Sequence, residues 1–228
     1  MFMDRLAAAY VRGMANLGEI ASLPHELAEC PLENLSYEQS EQLIEIGKKA
    51  ELRMYHFKEK EDLPRVRNVL GILKGIGPET LLDVGSGRGV FLFPFLREFP
   101  WVPVTSVDIL PHRVQMMQAI CAGGVDQLDA RLQDFTRWEC PENAFDVVTL
   151  LEVLEHIEDV ESAVRAAVRL ARRCIILSVP SKPDDNPEHI HLLTKDLLTD
   201  LFAKTGEHTL HFGGVNGHLI LTVILNKE

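Results

Sequence analysis

The stretch 83–89, Asp-Val-Gly-Ser-Gly-Arg-Gly, follows directly on the apolar pair Leu81-Leu82. Glycine populates positive φ freely and has no Cβ, so three alternating glycines let the backbone come close to a ligand. The pattern D-x-G-x-G-x-G differs from the dinucleotide fingerprint G-x-G-x-x-G, in which a helix N-terminus faces a pyrophosphate. A buried strand that ends in an acid and continues into this loop therefore predicts a nucleoside pocket.

Acidic residues also end the next two predicted strands. Asp108 closes the run 104–109, about twenty residues after the glycine loop, where a carboxylate can accept hydrogen bonds from both ribose hydroxyls. Asp134 and Phe135 follow a third predicted strand, and the apolar run 145–151 predicts a fourth, buried one. These features, in this order and at this spacing, predict successive β-α units of a parallel sheet covered on both faces.

From about residue 62 to the C-terminus, the series resembles the class I S-adenosylmethionine-dependent methyltransferases. The resemblance implies that the glycine loop holds the methionyl end of the donor, that Asp108 binds the ribose, and that Asp134 and Phe135 contact the adenine. The implied cofactor-binding residues are Asp83, Gly85, Ser86, Gly87, Gly89, Asp108, Ile109, Asp134, Phe135 and Leu151. The implied fold is Rossmann-like α/β, a mixed seven-stranded sheet that ends in an antiparallel hairpin, which the apolar runs 209–212 and 218–225 also predict.

Two segments are predicted along the chain: an N-terminal helical cap over residues 1–61 and an S-adenosylmethionine-binding domain over residues 62–228. Ser36 and Gln39 form a capping-box pattern that starts one helix of the cap, and Asp62 is predicted to cap the first helix of the main domain. Two placements of the cap stay open. Its helices lie across the donor site and shape the acceptor pocket, or they form a layer that packs on the sheet edge.

Composition and charge restrict the partners of the chain. The 228 residues carry 34 acidic and 23 basic side chains, a net charge of −11, which opposes indiscriminate binding to nucleic-acid phosphates. No apolar run approaches the roughly 18 residues of a membrane span, and the charged N-terminal stretch is unlike a secretory signal. The four cysteines have neither C-x-x-C nor metal-like spacing. We therefore expect a cytoplasmic protein with reduced thiols and no membrane partner, and the oligomeric state stays open.

Glu152, Glu155 and His156 directly follow the fourth predicted strand. If a helical turn begins there, positions i, i+3 and i+4 share one face, at the carboxyl edge of the sheet where α/β folds bind ligands. The polar, proline-rich loop after the fifth strand leaves the same edge and brings His189 or His191 beside them. Two carboxylates and two imidazoles can bind a divalent ion that polarises an acceptor hydroxyl.

This arrangement partially resembles the small-RNA 3′-terminal ribose 2′-O-methyltransferases, which carry E-x-x-E-H and a later histidine around a metal. The resemblance implies Glu152, Glu155, His156 and His189 as metal ligands, with His191 as the fallback for His189. Similar strings also follow the fourth strand in class I methyltransferases that act on small molecules without a metal, where the Glu and His side chains order the pocket floor. We favour the interpretation without a metal.

Three functional hypotheses follow. The first is methyl transfer from S-adenosylmethionine to an oxygen or nitrogen of a small-molecule acceptor. A hydroxyl or protonated amine must lose a proton, and His156, His189 and Glu152 are the candidate catalytic residues for that step. The second is metal-assisted 2′-O-methylation of an RNA 3′ end, and the third is a non-catalytic S-adenosylmethionine-binding module that regulates a partner. We prefer the first hypothesis.

Overall fold

The computed structural model describes residues 2–58, 62–183 and 185–226. Within those residues the helices are α1 (Phe2–Asn16), α2 (His25–Ala28), α3 (Tyr37–Lys49), α4 (Pro64–Ile76), α5 (Leu92–Glu98), α6 (Pro111–Ala122), α7 (Val160–Leu170) and α8 (Lys195–Ala203). The strands are β1 (Leu81–Val84), β2 (Val104–Asp108), β3 (Leu128–Leu132), β4 (Phe145–Leu151), β5 (Ala171–Pro180), β6 (His208–Val215) and β7 (His218–Leu225). Short 3₁₀ turns cover Leu32–Asn34, Met54–Phe57, Phe135–Arg137 and Leu154–His156.

The strands form one seven-stranded sheet in the order β3-β2-β1-β4-β5-β7-β6. β1 to β5 pair in parallel, whereas β7 runs antiparallel to both β5 and β6. The strand order reverses between β1 and β4, and such a reversal opens a ligand crevice at the carboxyl ends of the strands. The predicted mixed sheet with a terminal antiparallel hairpin is confirmed.

Apolar side chains bury both faces of this sheet. Successive residues of a strand point to opposite faces, so Leu81 of β1 packs into a core with α1, α4, α5 and α6, while Leu82 packs into a second core with α7 and α8. β1 is buried along its whole length. Two covered faces leave the strand ends as the place where polar groups meet solvent and ligands.

The start of α3 follows the sequence prediction, whereas the start of α4 departs from it. Ser36 and Gln39 form the predicted capping box at the start of α3. The expectation that Asp62 caps α4 is wrong, because the capping position is Leu63 and makes no side-chain capping bond. The Asp62 carboxylate instead pairs with Arg97 of α5, so it ties two helices together rather than starting one.

α1 packs tightly across α6. A Cβ on Gly13 would lie 1.6 Å from the carbonyl oxygen of Ala119, and one on Gly123 would lie 1.7 Å from that of Ala9. Helix backbones come this close only where side chains are absent or small. Leu6 of α1 is buried in the same core as β1. The N-terminal residues combine features of both predicted placements: α1 packs on α6 over a face of the sheet, and Met3, Tyr55 and His56 line a cavity beside the glycine loop.

Candidate functional site

The glycine loop after β1 has the left-handed backbone that its sequence predicts. Gly85, Gly87 and Gly89 have φ values of 68°, 57° and 78°, a region that costs other L-residues roughly 1–2 kcal/mol. At Gly85 a Cβ would also lie 2.7 Å from a side-chain carbon of Val153, in the turn after β4. Glycine at this position therefore lets the loops after β1 and β4 approach each other.

Asp108, at the end of β2, fastens two loops at the crevice. One carboxylate oxygen accepts a hydrogen bond from the Gly87 amide at 3.2 Å, and the other accepts from the Leu110 amide at 2.9 Å. Arg113 Nη1 lies 3.7 Å away. Each carboxylate oxygen keeps a further lone pair, so the buried carboxylate can still accept hydrogen bonds from a diol.

A cavity of about 520 Å³, the nucleoside cavity, extends from Asp108 to Asp134. One Asp134 oxygen caps the next 3₁₀ turn by accepting from the amide and the hydroxyl of Thr136, at 3.0 and 2.6 Å. Its other oxygen lies 3.8 Å from Arg137 Nε. Ile109 is 67% exposed although it is apolar, and Phe135 is buried. The cavity thus combines a carboxylate at each end with apolar side chains between them.

A second cavity of about 250 Å³, the methionyl cavity, adjoins it and is lined by Asp83, Ser86, Leu151 and Arg65 among others. Asp83 is 2% exposed and accepts a 2.7 Å hydrogen bond from the Thr149 hydroxyl. Its other oxygen has no hydrogen-bond partner within the described residues. Burial raises the pKa of Asp83 to about 6, against the lowering effect of the nearby Ser86 and Thr149 hydroxyls. An open, buried carboxylate oxygen of this kind can bind a cationic group.

The turn after β4 differs from the predicted helical face. Glu152 has a φ of 58°, and the 3₁₀ turn starts only at Leu154. The Glu152 carboxylate contacts residues of β5 and β7. The Ser178 hydroxyl donates to one of its oxygens at 2.6 Å, and His218 Nδ1 of β7 lies 3.0 Å from the other. The sequence pattern did not indicate these two partners of Glu152.

Three of the four predicted metal ligands do come together. One ligand atom each from Glu155, His156 and His189 lies within 4.8 Å of the other two, and Glu152 is outside this group. Glu155 is fully buried. His156 Nδ1 lies 2.9 Å from the carbonyl oxygen of Glu188, so it serves as the donor and leaves Nε2 with the lone pair. The fallback His191 instead lies with Nε2 3.3 Å from the carbonyl oxygen of Glu158.

Two further cavities bear on the choice of the site. One of about 350 Å³ borders the glycine loop at Arg88 and Gly89 and is also lined by Tyr55, His56 and Val90. Gly89 lines this cavity, the Tyr55 cavity, rather than the nucleoside or the methionyl cavity. A cavity of about 570 Å³ lies between α8 and β6 and shares no lining residue with the site. Although its volume exceeds that of the nucleoside cavity, this cavity lies away from the predicted site residues and is not the candidate site.

The family model for the methyltransferase domain matches residues 34–212, and the chain belongs to this family. The ubiquinone biosynthesis O-methyltransferase of Serratia proteamaculans is 33% identical over 110 residues, which are 47% of this chain and 44% of that protein. The corresponding enzyme of Escherichia coli is 30% identical over 99 residues, 43% of this chain and 40% of that protein. The match thus spans less than half the length of these curated relatives.

Solved structures share the fold. The methyltransferase domain of bacterial CtHen1 superposes with a TM-score of 0.59 at 16% identity, over 72% of this chain and 97% of that one. The N-terminal domain of EvdMO1, solved with S-adenosylhomocysteine (SAH) bound, gives 0.54 at 15% identity, over 73% and 81%. At these identities the likeness concerns architecture alone. Together with the family match, it confirms the predicted class I methyltransferase fold.

The described helices include none with the length and apolar character needed to cross a membrane. All four cysteines are free. Burial raises the pKa of the Cys121 thiol to about 11 and that of Cys174 to about 12. Both thiols therefore stay protonated and unreactive near neutral pH.

Proposed function

We propose that the protein transfers a methyl group from S-adenosylmethionine to an oxygen, or alternatively a nitrogen, of a small-molecule acceptor. One observation carries the proposal: Asp83, a buried carboxylate with one oxygen unpaired within the described residues, lines a cavity that shares residues with the nucleoside cavity. A buried carboxylate is stabilised by a cation or by hydrogen bonds, and the methionyl end of this donor carries an ammonium group. The residues present therefore fit the donor.

Two acids at the nucleoside cavity fit the rest of the donor. The Asp108 carboxylate is already held by two amides, and its remaining lone pairs suit the ribose hydroxyls. The Asp134 oxygen that does not cap the 3₁₀ turn suits the amino group of adenine, with Ile109 and Phe135 against the ring. The bound donor supplies a methyl group that its sulfonium has already activated, so the protein has to align the reactants and exclude water.

Among the three candidate bases, the contacts favour His156. It lines both the nucleoside and the methionyl cavities, and the Glu188 carbonyl fixes its Nδ1 as a donor. Its Nε2 can then accept the proton that a hydroxyl acceptor loses. One oxygen of Glu152 accepts from the Ser178 hydroxyl, and the other lies 3.0 Å from His218 Nδ1 without a hydrogen bond between them. His189 lines neither cavity.

The Tyr55 cavity, of about 350 Å³, has a volume that suits a small-molecule acceptor. The net charge of −11 disfavours a long polyanionic acceptor. The names of the curated relatives are those of O-methyltransferases, which supports oxygen as the methylated atom. Free cysteines fit a reducing compartment, and we propose the cytoplasm.

Methyl-labelled S-adenosylmethionine, offered with fractionated cell extract with and without EDTA, tests this function. We expect label in a low-mass fraction regardless of EDTA. His156→Gln is expected to lose at least 100-fold in rate, within the range for general bases. His112→Gln, an exposed histidine of α6 that lines neither cavity, serves as the matched control. Absence of label from every fraction, with SAH still bound, would favour the non-catalytic binding module.

The cluster of Glu155, His156 and His189 favours one second candidate, metal-assisted 2′-O-methylation of an RNA 3′ end. A carboxylate and two imidazoles suit several first-row divalent ions, and a bound ion there supplies Lewis-acid polarisation of a hydroxyl. This candidate requires label in an RNA fraction that disappears with EDTA and returns with Mn²⁺. It also requires Mn²⁺ binding, measured by calorimetry, that His189→Gln abolishes and His191→Gln retains.

A further inference from the structure

We propose that Glu152 makes the site select the cationic donor over its neutral product, and that Ser178 and His218 are the positioning residues that hold it there. The inference rests on the proposed function. It concerns the difference in charge between S-adenosylmethionine, which carries a sulfonium, and SAH, which carries an uncharged thioether.

The position of Glu152 relative to the two donor cavities is the first argument. The nucleoside and methionyl cavities have four lining residues in common, Gly85, Arg113, Glu152 and His156. The sulfur of the donor is bonded to both the ribose and the methionyl chain, so it must lie where the two cavities join. Glu152 is the acid among the four shared residues, and the Arg113 guanidinium lies 3.7 Å from Asp108, which offsets its charge.

The way in which Glu152 is held is the second argument. Its φ of 58° is a strained conformation for a residue with a side chain. Its amide donates to the Ser178 carbonyl oxygen at 2.9 Å, and its two carboxylate oxygens contact the Ser178 hydroxyl and His218 Nδ1. Ser178 is fully buried on β5. Contacts from two strands thus fix one carboxylate at a cost in backbone strain.

Charge then separates the two ligands. When the methyl group leaves, the electrons of the broken carbon–sulfur bond stay on sulfur, and the sulfonium becomes a neutral thioether. The attraction to Glu152 ends with that step, whereas every contact to the nucleoside and the amino-acid end is common to both ligands. Asp83 faces the ammonium group that both ligands retain, so it does not contribute to the difference. The product therefore leaves more readily than the donor.

Calorimetry in EDTA-containing buffer measures this selection without any acceptor. The probes are S-adenosylmethionine, SAH, and sinefungin, an analogue in which a protonated amine replaces the sulfonium. We expect the wild type to bind both cationic probes more tightly than SAH. In Glu152→Gln the donor-to-SAH affinity ratio should fall about tenfold, equivalent to about 1.4 kcal/mol, with the SAH affinity unchanged.

The positioning residues are tested in the same assay. Ser178→Ala and His218→Gln should lower the ratio in the same direction by a smaller factor and leave SAH binding unchanged. A purely structural role would weaken all three probes together. Glu158→Gln, an exposed acid in the same loop that lines neither cavity, should keep the wild-type ratio.

An unchanged ratio in Glu152→Gln, or a parallel loss of SAH affinity, would overturn the inference while leaving the proposed function in place. Equal affinity of the wild type for the three probes would overturn it as well. A wild type that binds none of them would instead remove the proposed function itself, so the two failures are distinguishable.

Discussion

Asp146 and Asp83 are buried carboxylates on the neighbouring strands β4 and β1, near opposite edges of the sheet. Asp146, at the amino edge, is 1% exposed and is surrounded by donors. Arg172 and Arg173 contact its two oxygens at 3.0 and 2.9 Å, and the Glu79 amide donates at 3.0 Å. Asp83, at the carboxyl edge, is 2% exposed and has the Thr149 hydroxyl on one oxygen, with the other open within the described residues.

The contrast shows how the same residue type at the same burial serves two purposes. At the amino edge the fold itself supplies the compensating cations, and the carboxylate holds two strands and a loop together. At the carboxyl edge compensation is incomplete, and the pKa of Asp83 rises to about 6 because of burial. Perturbed groups in a cleft are typical of functional sites.

Removing the Asp146 carboxylate should have the largest effect, a decrease in the free energy of unfolding. Asp146→Ala removes a shared partner of two arginines and the Glu79 amide, while Arg172 keeps its pair with the Glu79 carboxylate and Arg173 keeps the Ile76 carbonyl. Breaking a buried pair costs about 3–5 kcal/mol when the remaining charge cannot reach water. Both arginine side chains are nearly half exposed, so we expect a loss of about 2–3 kcal/mol in the free energy of unfolding by urea denaturation. SAH affinity should stay constant, and a matching loss of affinity would contradict the separation of the two edges.

Asp108→Ala sharpens the comparison at the carboxyl edge. Loss of charged hydrogen bonds should weaken SAH binding by about 1–3 kcal/mol, measured by calorimetry. Asp129→Ala on the neighbouring strand β3 is the control, because that exposed acid pairs only with Arg131 within the described residues. Equal binding by wild type and Asp108→Ala would mean that the ribose lies elsewhere.

Asp83→Asn should raise the free energy of unfolding, whereas Asp146→Ala should lower it. The native pKa of about 6 exceeds the ordinary value of 3.8, so the native state holds this proton more tightly than the unfolded state. Wild-type stability then falls as the pH rises from about 4 to about 6 and levels off above that. At pH 7.5 the amide should raise the free energy of unfolding by about 1–2 kcal/mol, less than the full shift because its NH₂ group gains no partner.

Urea denaturation at pH 5 and pH 7.5 tests whether Asp83→Asn raises the free energy of unfolding. The stability advantage of Asp83→Asn over the wild type should be larger at pH 7.5, while its SAH affinity should be lower because the charge facing the ammonium group is gone. A variant that is less stable than the wild type at both pH values would show that Asp83 is compensated as fully as Asp146.

Arg173→Gln should have the smallest effect, a loss of about 0.5–1 kcal/mol in the free energy of unfolding. The side chain is 46% exposed, and Arg172 continues to pair with Asp146. Urea denaturation of Arg172→Gln, Arg173→Gln and the double variant shows whether one arginine suffices. A loss in the single variant as large as that in Asp146→Ala would mean that the arginines act as one unit.

The features that the sequence predicted are those encoded locally. The glycine loop, the capping box of Ser36 and Gln39, and the hairpin each depend on residues within a short stretch. The turn at Glu152 was mispredicted because its conformation is set by Ser178 and His218, which are distant along the chain and meet it only through the pairing of β4, β5 and β7. No periodicity within the turn carries that information.

The position of α1 was also only partly predictable. Its apolar spacing indicated a helix, but its partner is selected by the fit of Gly13 and Gly123 against Ala119 and Ala9. Such complementarity belongs to a pair of surfaces rather than to either segment alone. The sequence therefore leaves both placements of the cap open, since neither the fit of α1 on α6 nor the position of Tyr55 and His56 beside the glycine loop is encoded within one segment.

The segment that matches the family model, residues 34–212, lacks two elements that pack against it. It omits α1, and it omits β7, the strand that separates β5 from β6 in the middle of the antiparallel end. A protein trimmed to residues 34–212 would lose β7, which pairs with both β5 and β6, and would expose to water the side of α6 that packs against α1. Unpaired strand edges of this kind promote aggregation. We therefore expect a fragment chosen by family similarity to precipitate, and a lack of activity in that fragment would carry no information about catalysis.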